Sequence, residues 1–230
     1  MQISLSDLQS KKTSNRIYIL GSGKSILDIT DNEWKEIEYL LEYLAKYKRE
    51  QDEIVVQCDQ GNTTPEVYRV LQELTERGSV VYKLIEFPLN NNFAAFKNNL
   101  KDNCSGDYIF QIDADEYPEE YLMDTIEWVI NNNPKTDIFW VPRINKVEGL
   151  TQEHINKWGW NVDDQKRVNF PDYQCRILKN VKRIKWKNKV HEVLTGHKTE
   201  SHLPANKEFC IYHLKNIERQ EKQNEFYNTI

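Results

Sequence analysis

Three acidic side chains stand close together in the segment QIDADEY, residues 111–117. They are Asp113, Asp115 and Glu116, and they follow an apolar run directly. In an extended chain, residues i and i+2 point the same way, so Asp113 and Asp115 can present both carboxylates to one point while Ala114 faces the core. Hard oxygen donors at this spacing suit Mn²⁺ or Mg²⁺ better than zinc or copper. The spacing therefore indicates a divalent metal site.

The same cluster also has a simpler interpretation. Asp115 or Glu116 could cap a helix that begins near Pro118, because carboxylates accept hydrogen bonds from the backbone N–H groups of a first helical turn. A DxD pair is common by chance. The elements around the cluster must decide between a metal site and a cap.

Strands and helices alternate in the first half of the chain. The segments RIYIL, DEIVVQCD, VVYKLIEF and DYIFQID have the composition of strands, and helical patterns lie between them, for example from Pro65 to Arg77. This order predicts βαβ units and a largely parallel sheet covered by helices, an α/β fold. Ligands bind such sheets at the carboxyl ends of the strands, where both Asp59 and the acidic cluster lie.

The N-terminal region allows two interpretations of the first strand. We expect it at RIYIL, residues 16–20, with ILDIT, residues 26–30, as the alternative. Between them, GSGKS is similar to the end of a P-loop, but the first glycine of that motif is replaced by Tyr18. A plain turn, or a loop that meets a diphosphate with backbone N–H groups, explains GSGKS better than an NTPase site.

The second half of the chain shows fewer regular patterns. A helix is expected after Pro118 and a strand at residues 137–144, followed by an irregular part rich in Trp and His and a charged helix from about Asn216. No change of composition marks a second domain, so we expect one domain over residues 1–230.

The composition predicts a folded protein without general affinity for nucleic acids. Of 230 residues, 39% are hydrophobic and 29% charged, and the net charge of −5 opposes binding to phosphate backbones. No apolar run is long enough to span a membrane, and the N-terminus lacks the apolar core of a secretory signal. We expect a cytoplasmic protein with no transmembrane segment and no stable nucleic-acid partner. The cysteines form no CxxC pair and predict free thiols.

Four segments resemble family 2 glycosyltransferases of the GT-A fold. GDYIFQIDADE is similar to the DxD stretch of that family, DEIVVQCDQGNTT to its nucleotide-binding strand and loop, and FAAFKNN to its following helix. FPDYQCRILKN and VHEVLTG resemble the lipopolysaccharide-core and capsule branch. The matches occur in the family's order over about residues 50 to 215.

The resemblance implies a fold and an activity. It implies a GT-A type, Rossmann-like, mostly parallel sheet flanked by helices, with residues 16–117 as the nucleotide-sugar-binding half. Residues 118–230 would form the acceptor-binding half with its C-terminal helix. The implied activity is a metal-dependent, inverting transfer from a nucleotide-sugar donor, first of all a UDP-sugar, to a hydroxyl of a glycan or lipid-linked glycan. Mn²⁺ or Mg²⁺ would be the cofactor.

The resemblance also assigns residues to the donor and the metal. Asp59 would hold the nucleotide base, Lys97 and Asn98 would lie near the sugar nucleotide, and Asp113 would reach the ribose or a bound water. Arg176 would pair with a phosphate, with a salt bridge to a loop carboxylate as the alternative. The metal residues implied are Asp113, Asp115 and His213, although a lone His on an apolar strand is more often a hydrogen-bonded core residue.

Two carboxylates compete for the role of catalytic base. An inverting displacement needs a group that takes the proton of the acceptor hydroxyl, and Asp172 and Glu192 both match recurrent positions of the family. Asp172 could instead be a structural turn residue. Glu192 could instead orient the neighbouring His191.

Aromatic and basic residues of the second half are candidates for acceptor binding. Trp158, Trp160 and His191 could contact an acceptor sugar, although tryptophans more often pack in a core. The segment KRIKWKNKV alternates basic and apolar residues. It fits a half-buried strand with a solvated basic face, or a docking strip for an anionic acceptor.

Three other functions remain open from the sequence. A nucleotidyltransferase acting on sugar phosphates also uses acidic pairs on an α/β sheet. A glycosyltransferase whose acceptor is a modified DNA base would carry the same donor site. A binding module that has lost turnover is opposed by the intact DxD motif and Glu192.

Overall fold

The computed structural model describes residues 16–21 and 33–227. Its first half alternates strands with helices, and its second half is dominated by strands. The strands are β1 (Arg16–Gly21), β2 (Glu53–Asp59), β3 (Lys83–Phe87), β4 (Tyr108–Asp113), β5 (Glu116–Pro118), β6 (Ile138–Glu148), β7 (Val168–Lys179), β8 (Lys185–Lys187), β9 (Val193–Thr195), β10 (Glu200–His202) and β11 (Ile211–Asn216). The helices are α1 (Glu33–Tyr47), α2 (Pro65–Glu76), α3 (Phe93–Asp102), α4 (Glu120–Asn132), α5 (Gln152–Trp158) and α6 (Ile217–Tyr227), with a 3₁₀ turn at Lys207–Phe209.

Nine strands form one mixed sheet in the order β3-β2-β1-β4-β7-β6-β11-β5, with β10 also on β6. The first four strands are parallel, β7 is antiparallel to both β4 and β6, and β11 lies parallel to β6. Strands β8 and β9 form a separate hairpin. The predicted mixed α/β fold with a mostly parallel, helix-covered sheet is confirmed.

The pleat of the central strands divides the core between two faces. On β2, Ile54 and Val56 pack on one side with residues of α1, α2 and α4. Val55 points to the other side and packs with α3 and the β8–β9 hairpin. Successive strand residues face opposite sides. A strand that is apolar on both faces is therefore buried between two layers, as its sequence predicted.

The predicted elements of the first half agree with the structure. The segment RIYIL forms β1, whereas ILDIT and GSGKS after Gly21 lie outside the described residues. Helix α2 buries the predicted apolar face, and the other helices begin and end within a few residues of their expected bounds. The part expected to be irregular is ordered, because β7 runs for 12 residues through the centre of the sheet.

Two expectations from composition can be compared with the described residues. Cys58, Cys104, Cys175 and Cys210 are free thiols, and burial raises the pKa of Cys58 to about 11. None of the described helices combines the length and hydrophobicity that crossing a membrane requires.

Candidate functional site

The acidic residues after β4 have different partners. The chain turns at Ala114 and Asp115 instead of continuing extended. Asp113, the last residue of β4, accepts a hydrogen bond from Nη2 of Arg176 at 2.7 Å. Asp115 lies 3.0 Å from Nε2 of His213 and 3.2 Å from Nη2 of Arg219. The extended-chain prediction that Asp113 and Asp115 point to one spot is therefore not what the described geometry shows.

Glu116 supports the fold beneath these residues. Its side chain is buried, and Oε1 accepts hydrogen bonds from Arg143 at 2.9 Å and Arg176 at 2.5 Å. Its other oxygen accepts from the backbone N–H of Asp113 at 3.2 Å. Helix α4 has Glu119 at its N-cap position, so neither Asp115 nor Glu116 caps it. Buried and held by two arginines, Glu116 anchors the turn that carries Asp115.

Strand β11 brings His213 to the acidic turn. His213 lies opposite Glu116 on β5 and opposite Asn145 on β6. Its Nδ1 is 2.9 Å from Oδ1 of Asn145, and its Nε2 faces Asp115. Burial lowers the pKa of His213, although the charge of Asp115 opposes this shift. An imidazole that stays neutral near pH 7 can act as a metal ligand.

Asp115 is ionised in this environment. Burial alone would raise the pKa of its carboxyl group. The contact with His213 and the charges of Lys215 and Arg219 outweigh burial and hold that pKa well below its usual range. Arg219 comes from α6 and also lies 3.2 Å from Glu36 on α1. The C-terminal helix therefore contributes a cation to the candidate site.

Asp172 is held by four hydrogen bonds. Arg143 donates two to its Oδ2 at 2.8 and 2.6 Å, Asn145 donates one to the same atom at 2.7 Å, and Gln174 donates one to Oδ1 at 2.8 Å. Burial would raise the pKa of Asp172, but the charge of Arg143 and these hydrogen bonds bring it below its ordinary value. The carboxylate is stabilised in its ionised form.

A polar cleft of about 200 Å³ opens beside Asp172 and His213. Its walls come from β6, β7, β11 and α6, and Trp160 and Lys215 also line it. Trp160 is 4.6 Å from Trp158 between ring centroids, and Trp158 stacks on His154 at 5.1 Å. The structure thus places Trp160 at the cleft, with Trp158 behind it in an aromatic row.

Glu192 lies with a different set of residues. It forms an ion pair with Lys97, whose ammonium is 4.6 Å from the ring centroid of Trp186. Asn98 donates to the backbone carbonyl of Trp186 at 2.8 Å and accepts from its N–H at 2.9 Å. His191, beside Glu192, is exposed and has a positive φ of 51°. Helix α3 thereby holds the hairpin segment that carries Glu192.

Asp59 organises the end of β2. Its Oδ1 accepts from the backbone N–H of Leu89 at 2.8 Å, and Oδ2 accepts from the side chain of Asn62 at 2.9 Å. Its backbone carbonyl accepts from Thr63. Asp59 lies at the carboxyl end of its strand, as predicted. There it joins the loops after β2 and β3.

Several residues of this site were not predicted from sequence. Arg143, Asn145, Lys215 and Arg219 carry no local motif, because their roles arise from strands and a helix that meet only in the folded chain. No sequence pattern indicated beforehand that a carboxylate, an imidazole and an amide would be in contact here. Among the described residues there is no group of three or more His, Cys, Asp and Glu that could hold a metal.

The family model described as Glycosyl transferase family 2 matches residues 25–190, well over half of the chain. The chain belongs to glycosyl transferase family 2. The GT-A fold expected from the resemblance is confirmed. No curated protein sequence matches the chain.

Solved structures of S. aureus TarS share the fold. TarS 1-349 aligns with a TM-score of 0.54 at 15% identity, covering 87% of this chain and 60% of that one. Its complex with UDP-GlcNAc aligns at 0.56 and 16% identity, covering 87% and 58%. The longer TarS structure aligns at 0.58 and 15% identity, covering 94% and 39%. The chain therefore spans less than two thirds of these relatives.

Proposed function

We propose that this glycosyltransferase moves a sugar from a nucleotide-sugar donor to an acceptor hydroxyl by an inverting displacement assisted by a divalent metal. The observation that carries the proposal is the contact between Asp115 and His213 beside a polar cleft, on a fold of this family. A UDP-sugar is the first donor to test, since a TarS structure with the same fold is a complex with UDP-GlcNAc.

Asp115 and His213 would hold the metal. A carboxylate oxygen and an imidazole nitrogen 3.0 Å apart, on side chains that are 11% and 8% exposed, are donors that one cation can accept. The nitrogen donor favours Mn²⁺ over Mg²⁺, which takes oxygen ligands. When bound, such a cation supplies positive charge to the diphosphate of the leaving nucleotide. Asp113 pairs with Arg176 and would act toward the donor ribose instead.

The donor-binding roles that the family resemblance implies are proposed for Lys97, Asp59 and Asn98. Lys97 offers a cation over the ring of Trp186 that can meet a donor phosphate. Asp59 would act on the nucleotide through the loops that it joins, since Leu89 and Asn62 already bond its oxygens. Asn98 would act by holding the Trp186 segment. Arg176 is buried against Asp113 and Glu116, which supports the salt-bridge alternative for this residue.

Glu192 is the better candidate for the catalytic base. Asp172 accepts four hydrogen bonds, which stabilise its ionised form and weaken it as a proton acceptor. Glu192 contacts Lys97, which lies on the helix that resembles the donor-binding helix of the family. We therefore assign proton removal to Glu192 and organisation of the cleft to Asp172.

The acceptor proposed is a glycan, as in the lipopolysaccharide-core and capsule branch, in the cytoplasm. An amphipathic ring such as Trp160 stacks on the apolar face of a sugar, and Asp172 and Lys215 in the same cleft offer partners for hydroxyl groups. Lys185 and Lys187 are exposed on β8 on either side of the buried Trp186, as in the solvated-face interpretation of KRIKWKNKV.

A thermal-shift panel of nucleotide sugars with and without Mn²⁺ tests the proposal. A donor at 100 times its Kd stabilises the folded state by about 2.7 kcal/mol, which raises Tm by about 5–10 °C for a chain of this size. We expect one donor to act only with metal, and Asp115→Ala to abolish that shift. Asp124→Ala, at an exposed position of α4, is the matched control and should keep the shift.

Two results would contradict the proposal. If no nucleotide sugar raised Tm in either condition, the donor site would be wrong. If the protein released pyrophosphate from an NTP and a sugar phosphate, it would be a nucleotidyltransferase.

A further inference from the structure

Asn145 connects the two halves of the candidate site. Its side-chain nitrogen donates to Asp172 at 2.7 Å, and its side-chain oxygen lies 2.9 Å from Nδ1 of His213. The other ring nitrogen of His213 lies 3.0 Å from Asp115. A row of hydrogen-bonding groups therefore runs from Asp172 through Asn145 and His213 to Asp115.

The two ends of the Asn145 amide face groups of different kinds. An ionised carboxylate only accepts hydrogen bonds, so the NH₂ end must face Asp172. Arg143 donates two further hydrogen bonds to the same carboxylate and keeps it in its accepting form. The carbonyl end of Asn145 then faces Nδ1 of His213, and that nitrogen must carry a proton.

The backbone also fixes this arrangement. Asn145 and His213 are register partners on the neighbouring parallel strands β6 and β11. The register of β6 against β7 shifts between Arg143 and Asn145. Such irregularities re-aim side chains within a sheet. Here Arg143 and Asn145 both reach Asp172 although they are not equivalent ladder positions.

With its proton on Nδ1, neutral His213 presents a lone pair from Nε2 to Asp115. Two acceptors 3.0 Å apart repel each other unless a cation lies near them, and the guanidinium of Arg219, 3.2 Å from the same oxygen of Asp115, shows that this spot accepts positive charge. We propose that Asn145 is a positioning residue: it holds His213 in the Nδ1–H tautomer, so that Nε2 and Asp115 face a divalent cation together. This inference rests on the metal site of the proposed function.

The role is of a kind that metal sites use generally. A ligating histidine usually donates its other N–H to a carbonyl or carboxylate, which fixes the ring and its tautomer. Loss of such a partner weakens metal affinity by about 10–100-fold. Gln174 offers a matched control, because it donates to the other oxygen of Asp172 and lies outside the row of groups that runs from Asp172 to Asp115.

The test combines two measurements on the full chain. ¹⁵N NMR of labelled histidines at about pH 8, above the ordinary histidine pKa of about 6.5, reports the tautomer of His213 without metal. The signal is assigned with His213→Gln. Titration with Mn²⁺, followed by the EPR signal of the free ion, reports affinity. Both are made on the wild type and on Asn145→Ala, Asn145→Asp and Gln174→Ala.

We expect the Nδ1–H tautomer in the wild type, and its loss with about 10–100-fold weaker Mn²⁺ binding in Asn145→Ala. Gln174→Ala should keep both properties. Asn145→Asp loses the donor to Asp172 but keeps an acceptor for Nδ1 of His213, so it should keep the Nδ1–H tautomer. If Asn145→Ala does not fold, an Nε2–H tautomer in Asn145→Asp would contradict the inference.

A wild-type Nε2–H tautomer would overturn the inference, as would an Asn145→Ala protein that binds Mn²⁺ like the wild type. If the wild type bound no Mn²⁺ at all, the proposed metal site would fail instead. The tautomers of the wild type and Asn145→Asp would then decide the positioning role alone.

Discussion

Asp172 lines the candidate cleft and Glu192 lies with a different set of residues, and the surroundings of the two carboxylates suit different tasks. Arg143, Asn145 and Gln174 surround Asp172 with donors, which lowers its affinity for a proton. Glu192 is paired with Lys97 on a segment held by helix α3. A base must bind a proton during the reaction, and a carboxylate bound by four donors has little capacity left for one. Substitutions that replace each carboxylate by an uncharged amide can therefore separate the role of the catalytic base from that of a cleft-organising residue.

Glu192→Gln should lower kcat by about 10²–10⁴-fold, the contribution typical of a general base, and should keep the donor-dependent rise in Tm. Asp172→Asn should lower Tm, because its NH₂ group cannot accept from Arg143, and should lower kcat much less than Glu192→Gln does. A Glu192→Gln enzyme with wild-type kcat would exclude Glu192 as the base. A loss of about 10²–10⁴-fold in the kcat of Asp172→Asn would then assign the base to Asp172.

Among the elements, helix α6 has the clearest link to function. It follows β11 directly, so the chain that delivers His213 also delivers Arg219 to Asp115. Arg219 lies between Asp115 and Glu36 of helix α1, and burial raises the pKa of Glu36 although Arg219 opposes the shift. The guanidinium and a divalent cation at Asp115 would repel each other. Helix α6 would therefore tune the charge of the proposed metal site.

Arg219→Gln should strengthen Mn²⁺ binding a few-fold at low ionic strength, because it removes a positive charge 3.2 Å from the carboxylate of Asp115. The gain should shrink at high salt, where exposed parts of this interaction are screened. Titration with Mn²⁺, followed by EPR, measures both. Arg69→Gln makes the same charge change on the exposed face of α2 and should leave affinity unchanged. Weaker binding in Arg219→Gln would mean that Arg219 holds Asp115 in place for the metal.

At the scale of the whole molecule, local patterns predicted the elements and not the contacts between them. The apolar runs and helical spacings of the first half are set by neighbours in sequence, so β2, α2 and β4 were found within a few residues. Asp115 and His213 are 98 positions apart, and they meet because β11 inserts between β6 and β5. Such pairing depends on the total burial of the sheet. The family resemblance supplied His213, and nothing local could supply Asn145.

The charged network also makes the stability of the whole chain depend on pH. Asp137 lies away from the cleft, where Arg183 pairs with it at 2.8 Å and the N–H of Lys198 donates to it at 2.7 Å. Burial would raise the pKa of Asp137, but these hydrogen bonds and the charge of Arg183 lower it. A folded-state pKa below the unfolded value of about 3.9 means that the unfolded chain binds the proton more readily. The stabilisation is present above about pH 4 and is lost as the pH falls through the folded-state pKa.

Asp137→Asn should therefore lower the free energy of unfolding near neutral pH by about 1.5–3 kcal/mol, the range for hydrogen bonds to a charged group. Below about pH 4 the gap to the wild type should close, because the wild type then loses the same charge. Thermal unfolding followed by circular dichroism across this pH range measures the gap. Asp102→Asn, an exposed substitution at the end of α3, should track the wild type throughout. A gap that stayed constant down to about pH 3 would show that Asp137 stabilises the fold through packing or shape, because its charge would then contribute nothing.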